Sequence, residues 1–268
     1  MTKLTAAGIA GLMLASGACV IAVVDRTSEG QAWPLQDEVH KSLDLKSGGA
    51  VALENIEGDI EISGWEEQKV DIVAYRSREL PPKAGIYFMS QRMSFPDIRA
   101  VKTGDTVSIK TEREGYQESE SVVHYILKVP RSVRLESIDN GRGNILISDL
   151  YGQAVVKLKE GRLAVENYSG SMDISLEKGG VEAELLDPRP GDVISIKVER
   201  GDIIVYLEPE IGALFSLEAP GGDISSEIDL GQPLPAQKVS AKTGDGGVTL
   251  ELSALQGDIK IRKVEDSR

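Results

Sequence analysis

The chain has 268 residues, 41% hydrophobic and 27% charged but only 4% aromatic, so any sizeable core must be filled by aliphatic side chains. With 43 acidic against 30 basic residues the formal charge is −13, a field that repels phosphate backbones and excludes nucleic acid or a broad anionic membrane surface as a partner. A single cysteine, Cys19, excludes an intramolecular disulfide and any cysteine-built metal cluster.

In chain order, Lys3 precedes an uncharged apolar stretch over 4–24 that Asp25 and Arg26 close. Residues 1–26 therefore read as a signal peptide or membrane anchor. Three outcomes stay open. Ser16-Gly17-Ala18-Cys19 resembles a bacterial lipoprotein processing site, which makes Cys19 a lipidation candidate. Gly30-Gln31-Ala32 offers small residues to an ordinary signal peptidase. Left uncleaved, the stretch has about the 20 apolar residues that span a bilayer. Each outcome places the remaining chain outside the cytoplasm, in the periplasm or cell envelope, with membrane association through this segment where it is retained or lipidated.

Residues 27–38 read as a linker, polar apart from Trp33. Alternating apolar residues then predict strands over 39–45, 50–62, 69–75, 106–111 and 122–129, the last stopped by Pro130. Glycine and proline interrupt every candidate helical window after the N-terminal segment. His40 and His124, the only two histidines, sit inside strand patterns with no nucleophile or metal-ligand motif beside them. They read as surface or packing residues.

Residues 77–102 break the alternation, and 76–120 is expected to be an irregular insertion or cap. It holds Pro81-Pro82 and the apolar run IYFMSQRMSF over 86–95. The end of a stacked β structure exposes unpaired backbone and apolar core, so such a run can serve as a lid. The rival reading is a protruding contact patch for a partner, made by Tyr87, Phe88, Met89, Met93 and Phe95.

From Val133 onward a short repeat takes over. Gly143, Gly152, Gly161, Gly170 and Gly179 stand at nine-residue intervals, and the pattern continues more loosely through Gly191, Gly201, Gly212, Gly222, Gly247 and Gly257. After the turn, side chains alternate: Met172, Ile174 and Leu176 share one face, Asp173 and Ser175 the other. Glycine supplies positive φ at little steric cost, and the following strand buries an aliphatic row against the next unit. The expected fold is all-β, a β-solenoid (β-helix) of Gly-x-Ile-x-Ile units over 39–264, with a proline-bearing loop at 229–238 and a tail at 265–268. Two strands per coil would give a flattened body and three a triangular one.

Reactive groups are scarce. Asp59, Asp105, Asp192, Asp202, Asp223, Asp245 and Asp258 each follow a glycine, and periodic aspartates ligate calcium in nonapeptide β-rolls. The full Gly-Gly-x-Gly-x-Asp turn is absent, so these residues read as turn formers whose carboxylates accept local N–H groups. No His-Glu-x-x-His spacing and no glycine loop opening a helix occurs, and no cofactor is called for. Units of nine to twelve residues leave little spare length for a catalytic cleft, so the chain reads as a non-enzyme.

The chain resembles a bacterial family of adhesin-like proteins of unknown function, related to auto-transporter-adhesin-like head domains. The carrying residues are GAVALENIEGDIEISGW over 49–65, VHYILKVP over 123–130 and the succession of Gly-x-Ile-x-Ile units to Ile261. The resemblance implies an extracytoplasmic β-solenoid without established catalytic residues, and it transfers no binding residue. The expected function is a non-catalytic envelope protein, binding or structural, that contacts a protein or glycan. The alternatives are a sensory or regulatory partner in envelope stress and, with the weakest support, a polysaccharide-acting β-helix enzyme.

Overall fold

Alternating aliphatic residues punctuated by turns yield twenty strands and no helix among the residues described by a computed structural model, which are 35–78, 95–112 and 121–264. Among them, no helix is long and apolar enough to cross a membrane. The strands are β1 (Leu35–Asp44), β2 (Ala50–Glu57), β3 (Ile60–Trp65), β4 (Lys69–Arg78), β5 (Asp97–Thr103), β6 (Thr106–Glu112) and β7 (Ser121–Pro130). Then follow β8 (Arg134–Arg142), β9 (Ile145–Tyr151), β10 (Ala154–Glu160), β11 (Leu163–Ser169), β12 (Met172–Lys178), β13 (Val181–Leu185) and β14 (Val193–Arg200). The last are β15 (Ile203–Leu207), β16 (Ala213–Glu218), β17 (Ile224–Ser226), β18 (Lys238–Lys242), β19 (Val248–Gln256) and β20 (Ile259–Lys263).

They form two ten-stranded mixed sheets. The first runs β1-β4-β7-β3-β9-β11-β13-β15-β20-β17 and the second β18-β16-β19-β14-β12-β10-β8-β2-β6-β5. From β8 to β15 successive strands alternate between the sheets, so each pairs in parallel with the strand two places on. Two nine-residue steps thus make one vertical repeat. Ala154 stacks on Met172 and Ile145 on Leu163, each pair 18 residues apart (172 − 154; 163 − 145).

The inward faces meet as aliphatic rows. Ile109, Leu53, Ile138, Val156, Ile174, Ile196, Leu252, Leu217 and Val239 form an unbroken row across the second sheet. Ile60, Ile145, Leu163, Val181, Ile203, Ile259 and Ile224 form its counterpart in the first. All are buried, and each contributes about 1.5–3 kcal/mol by leaving water. A polar cluster sits beside these rows at β6: Thr111 Oγ1 lies 2.9 Å from Asn55 Oδ1 and 2.7 Å from the Tyr125 hydroxyl, while Asn55 Nδ2 donates to the Val123 carbonyl. Burial pushes the Tyr125 phenol up to about 12, against the lowering effect of the Thr111 hydrogen bond.

Turns between the two sheets carry the periodic glycines because the backbones nearly touch there. Gly179 and Gly201 both have φ of +136°, and a Cβ on them would lie 1.7 Å from the carbonyl oxygens of Gly161 and Gly179 respectively. The same approach lets the Gly179 N–H donate to the Arg200 carbonyl at 2.9 Å.

Three features depart from the sequence reading. Successive units were expected to be neighbours, yet β2–β3 lies between β6–β7 and β8–β9, and β19–β20 lies between β14–β15 and β16–β17. The chain runs outward to build antiparallel closing strands (β1 on β4, β5 on β6, β18 on β16) and then returns. Those closing strands spare the ends from exposing a parallel ladder. Second, β5 falls within 76–120 and is a regular ladder member, pairing with β6, the strand expected over 106–111. In β5 only Ile98 is fully buried while Val101 is exposed, so alternation there is faint. Third, β1 starts at Leu35, inside the polar segment read as linker. At the other end the proline-bearing loop supplies cover: Ile228 and Leu230 are buried in the core, and Leu234 and Ala236 pack against it.

Candidate functional site

Cys19, Tyr87, Phe88, Met89 and Met93 lie outside the described residues. Phe95 is half-buried, with the Arg76 guanidinium carbon 5.3 Å from its ring centroid. His40 Nε2 sits 2.9 Å from Asp71 Oδ1, an antiparallel-sheet surface contact, and His124 Nδ1 accepts the Asp59 N–H at 3.1 Å. The structure therefore gives both histidines local polar partners and, among the described residues, brings no serine, threonine or cysteine nucleophile to either.

Several turn aspartates take a definite structural part. Asp59 Oδ1 accepts the Asn144 N–H at 2.7 Å, Asp202 Oδ1 the Asp258 N–H at 2.9 Å, and Asp258 Oδ1 the Asp223 N–H at 3.1 Å. Asp192 Oδ2 closes its own turn by accepting the Arg189 N–H at 2.7 Å. Among the described residues no group of three or more His, Cys, Asp or Glu side chains gathers as a metal site.

Each sheet carries a concavity on its outer face. The larger, about 800 Å³, crosses β2, β8, β10, β12, β14 and β19 of the second sheet. Its floor includes one register row, Glu54, Asp139, Lys157, Ser175, Lys197 and Ser253, each from a different strand. Farther out on this row, Lys110 reaches Glu54 at 2.8 Å and Lys238 reaches Glu218 at 2.5 Å. Lys157, Lys159 and Lys197 inside the groove make no ion pair with any described residue. Exposed apolar side chains, Ile56 and Leu255, stand at opposite ends of it. Nothing in the sequence singled out these lysines. Doubling the nine-residue glycine interval would have aligned Lys157 with Ser175, but the longer turn between β13 and β14 shifts the next partner, Lys197, off that period.

The smaller concavity, about 620 Å³, lies on the first sheet and is lined by Glu166, Glu182, Glu184, Tyr206, Glu227 and Arg262 among others. The Tyr206 hydroxyl donates to Glu182 at 3.0 Å, and that contact holds the phenol above its ordinary range. Arg262 pairs with Glu227 at 3.2 Å. A general acid needs a carboxyl raised toward neutrality. The Lys178 hydrogen bond instead lowers Glu160, and the N–H of Asp223 lowers Asp258. These groups are set to accept hydrogen bonds as anions, a holding role.

The sequence matches no protein-family model and no curated relative. Solved structures do resemble the fold. A "putative cell adhesion protein" from Clostridium sporogenes is 14% identical with a TM-score of 0.50, covering 85% of this chain and all of that one. A "putative adhesin" from Bacteroides fragilis (12% identical) and a "putative lipid binding protein" from Parabacteroides distasonis (10%) each reach 0.30, covering 85% of this chain and 97% of theirs. At such identities the likeness to the Clostridium protein is one of fold, an all-β body of comparable extent.

Proposed function

We propose that this chain is an exported, non-catalytic β-solenoid of two strands per coil that binds an extended acidic glycan along the groove of its second sheet. The reading rests chiefly on one observation: Lys157 and Lys197 stand unpaired on the same register row, with Ser175 between them. Adjacent strands are about 4.8 Å apart, so the backbone positions of the two lysines lie about 9.6 Å apart along the groove, perpendicular to the strands. Across β10, β12 and β14 a linear polymer meets Lys157, Ser175 and Lys197 in turn, so carboxylates two rungs apart can each meet a lysine, while Asp139 and Glu54 on the next rungs bound this stretch on one side. In a chain of charge −13, such unpaired cations are the groups available to an anionic partner.

Residues 1–26 belong to this reading as the export signal or anchor, with Cys19 as the lipidation candidate, and the body from residue 39 to 264 as one domain outside the cytoplasm. The run at 86–95 acts as a cap or secondary contact. The Clostridium protein's name, a cell adhesion protein, supports a binding role at the cell surface. Binding to glycan arrays at low and moderate salt tests the proposal. Acidic linear glycans should be retained over neutral ones, and replacing Lys157 and Lys197 together by alanine should weaken retention about tenfold or more. Retention of no acidic glycan, with selective capture of one membrane regulator from cell envelopes, would replace this reading with the regulatory one.

A further inference from the structure

The turns that lead from the second sheet to the first carry a polar relay beside the glycines. In stacking order its residues are Asp59, Asn144, Arg162, Gly180, Asp202, Asp258 and Asp223. Asp59 Oδ1 accepts the N–H of Asn144, and Asn144 Oδ1 accepts that of Arg162 at 3.1 Å. Asp202 and Asp258 continue the same contact to the end of the stack. Between Arg162 and Asp202 the relay stops. An arginine side chain cannot accept a hydrogen bond and Gly180 has no side chain, so the N–H groups of Gly180 and Asp202 meet no acceptor among the described residues.

This interruption coincides with a notch of about 400 Å³ bordered by Arg162, Gly180, Val181, Glu182, Asp202 and Ile204, among others. The Arg162 guanidinium makes no ion pair with any described residue, whereas the acids around it are engaged. Glu182 accepts from Tyr206, and Asp202 accepts from Asp258 and lies 3.4 Å from Lys260.

We propose that this notch binds a carboxylate. In four neighbouring contacts the chain itself places a carboxylate or carboxamide oxygen on the turn N–H; at Gly180 and Asp202 that oxygen comes from a ligand, with Arg162 as counter-charge. The site lies on the glycine corner and stands whether or not the second-sheet groove binds a glycan. The carboxylate can belong to an acidic sugar or to a peptide, and the test separates them.

The test is amide NMR of the whole folded domain titrated with acetate, with glucuronate and with a blocked aspartyl peptide, against chloride at equal ionic strength. Saturable shifts are expected at the Gly180 and Asp202 amides, while those of Asn144 and Asp258, already occupied, stay put. Tighter binding of glucuronate or of the peptide than of acetate identifies the source, and equal binding shows that the carboxylate alone is recognised. Arg162→Ala should weaken the response about tenfold, the worth of one hydrogen bond to a charged group. Gly180→Asn should abolish the response at Asp202 by supplying the missing oxygen. It should fold, because a Cβ there meets nothing closer than the Asp202 carbonyl oxygen at 3.6 Å. Absence of saturable shifts at both amides, or shifts of equal size in chloride or in Arg162→Ala, overturns the proposal.

Discussion

At Gly179 and Gly201 the backbone geometry admits one residue type. A methyl group at either would overlap a carbonyl oxygen of the adjacent turn, and the φ of +136° is itself closed to side chains. Gly179→Ala should therefore cost about 3 kcal/mol or more in urea unfolding, since strain and steric displacement act together. Gly104 is the informative control. Its φ is +60° and nothing lies within 4 Å of the place a methyl group would take, so Gly104→Ala should lose only about 1 kcal/mol. Equal losses at the two sites would mean that the stacked corner relaxes freely, contrary to the close approach described. This steric logic is why the repeat could be read from the sequence: where chains touch, glycine is compulsory, and its spacing records the turns. Lys157 and Lys197 carry no comparable mark, because an outward lysine on a strand looks like any solvated one until register places it.

Among elements, the corner turns hold the strands in line through side-chain oxygens as well as glycine. Asp258 illustrates the balance. The Asp223 N–H, and secondarily Lys260, keep its carboxyl below the ordinary range. A carboxyl depressed in the folded protein stabilises it at pH values above the unfolded pKa, about 3.9, and that contribution is lost as pH falls through the folded value. Asp258→Ala should accordingly cost about 0.5–1 kcal/mol at neutral pH, with the deficit shrinking in acid. Asp258→Asn keeps an accepting oxygen and should retain most of the stability while flattening this acid dependence. Urea midpoints of the three proteins at neutral and acid pH decide the matter; a deficit in Asp258→Ala that stays constant with pH would remove the carboxylate from the account. The aspartates were legible as turn residues because glycine precedes each. Which N–H each accepts was not, since the acceptor contact runs between units as many as 85 residues apart in sequence, as from Asp59 to Asn144.

For the whole molecule, the decisive feature is that sequence order and stacking order part company at both ends. Most inward positions offer Ile, Val or Leu, so one Gly-x-Ile-x-Ile unit is as good a partner as another by composition, and pattern alone cannot assign β20 rather than β17 to the flank of β15. The consequence is testable. In a repeat array stacked in chain order, removing the last unit gives up one interface and leaves the rest standing. Here β19–β20 is sandwiched, so ending the chain after Gly247 removes both of its interfaces. It leaves β17 without a strand partner and β14 and β15 with bare edges. The lost segment contains Val248, Leu250, Leu252, Ala254, Ile259 and Ile261, all buried. At about 1.5–3 kcal/mol for each larger side chain, their removal is on the order of 10 kcal/mol, comparable with the entire net stability of a domain. The truncated chain should lack a cooperative thermal transition by circular dichroism. Deleting 35–44 instead removes an edge strand that pairs only with β4 and should leave a cooperative, less stable fold. If the chain ending at Gly247 melts cooperatively near the full-length temperature, the last strands are an appendage, and the stacking order that places them inside the body is wrong.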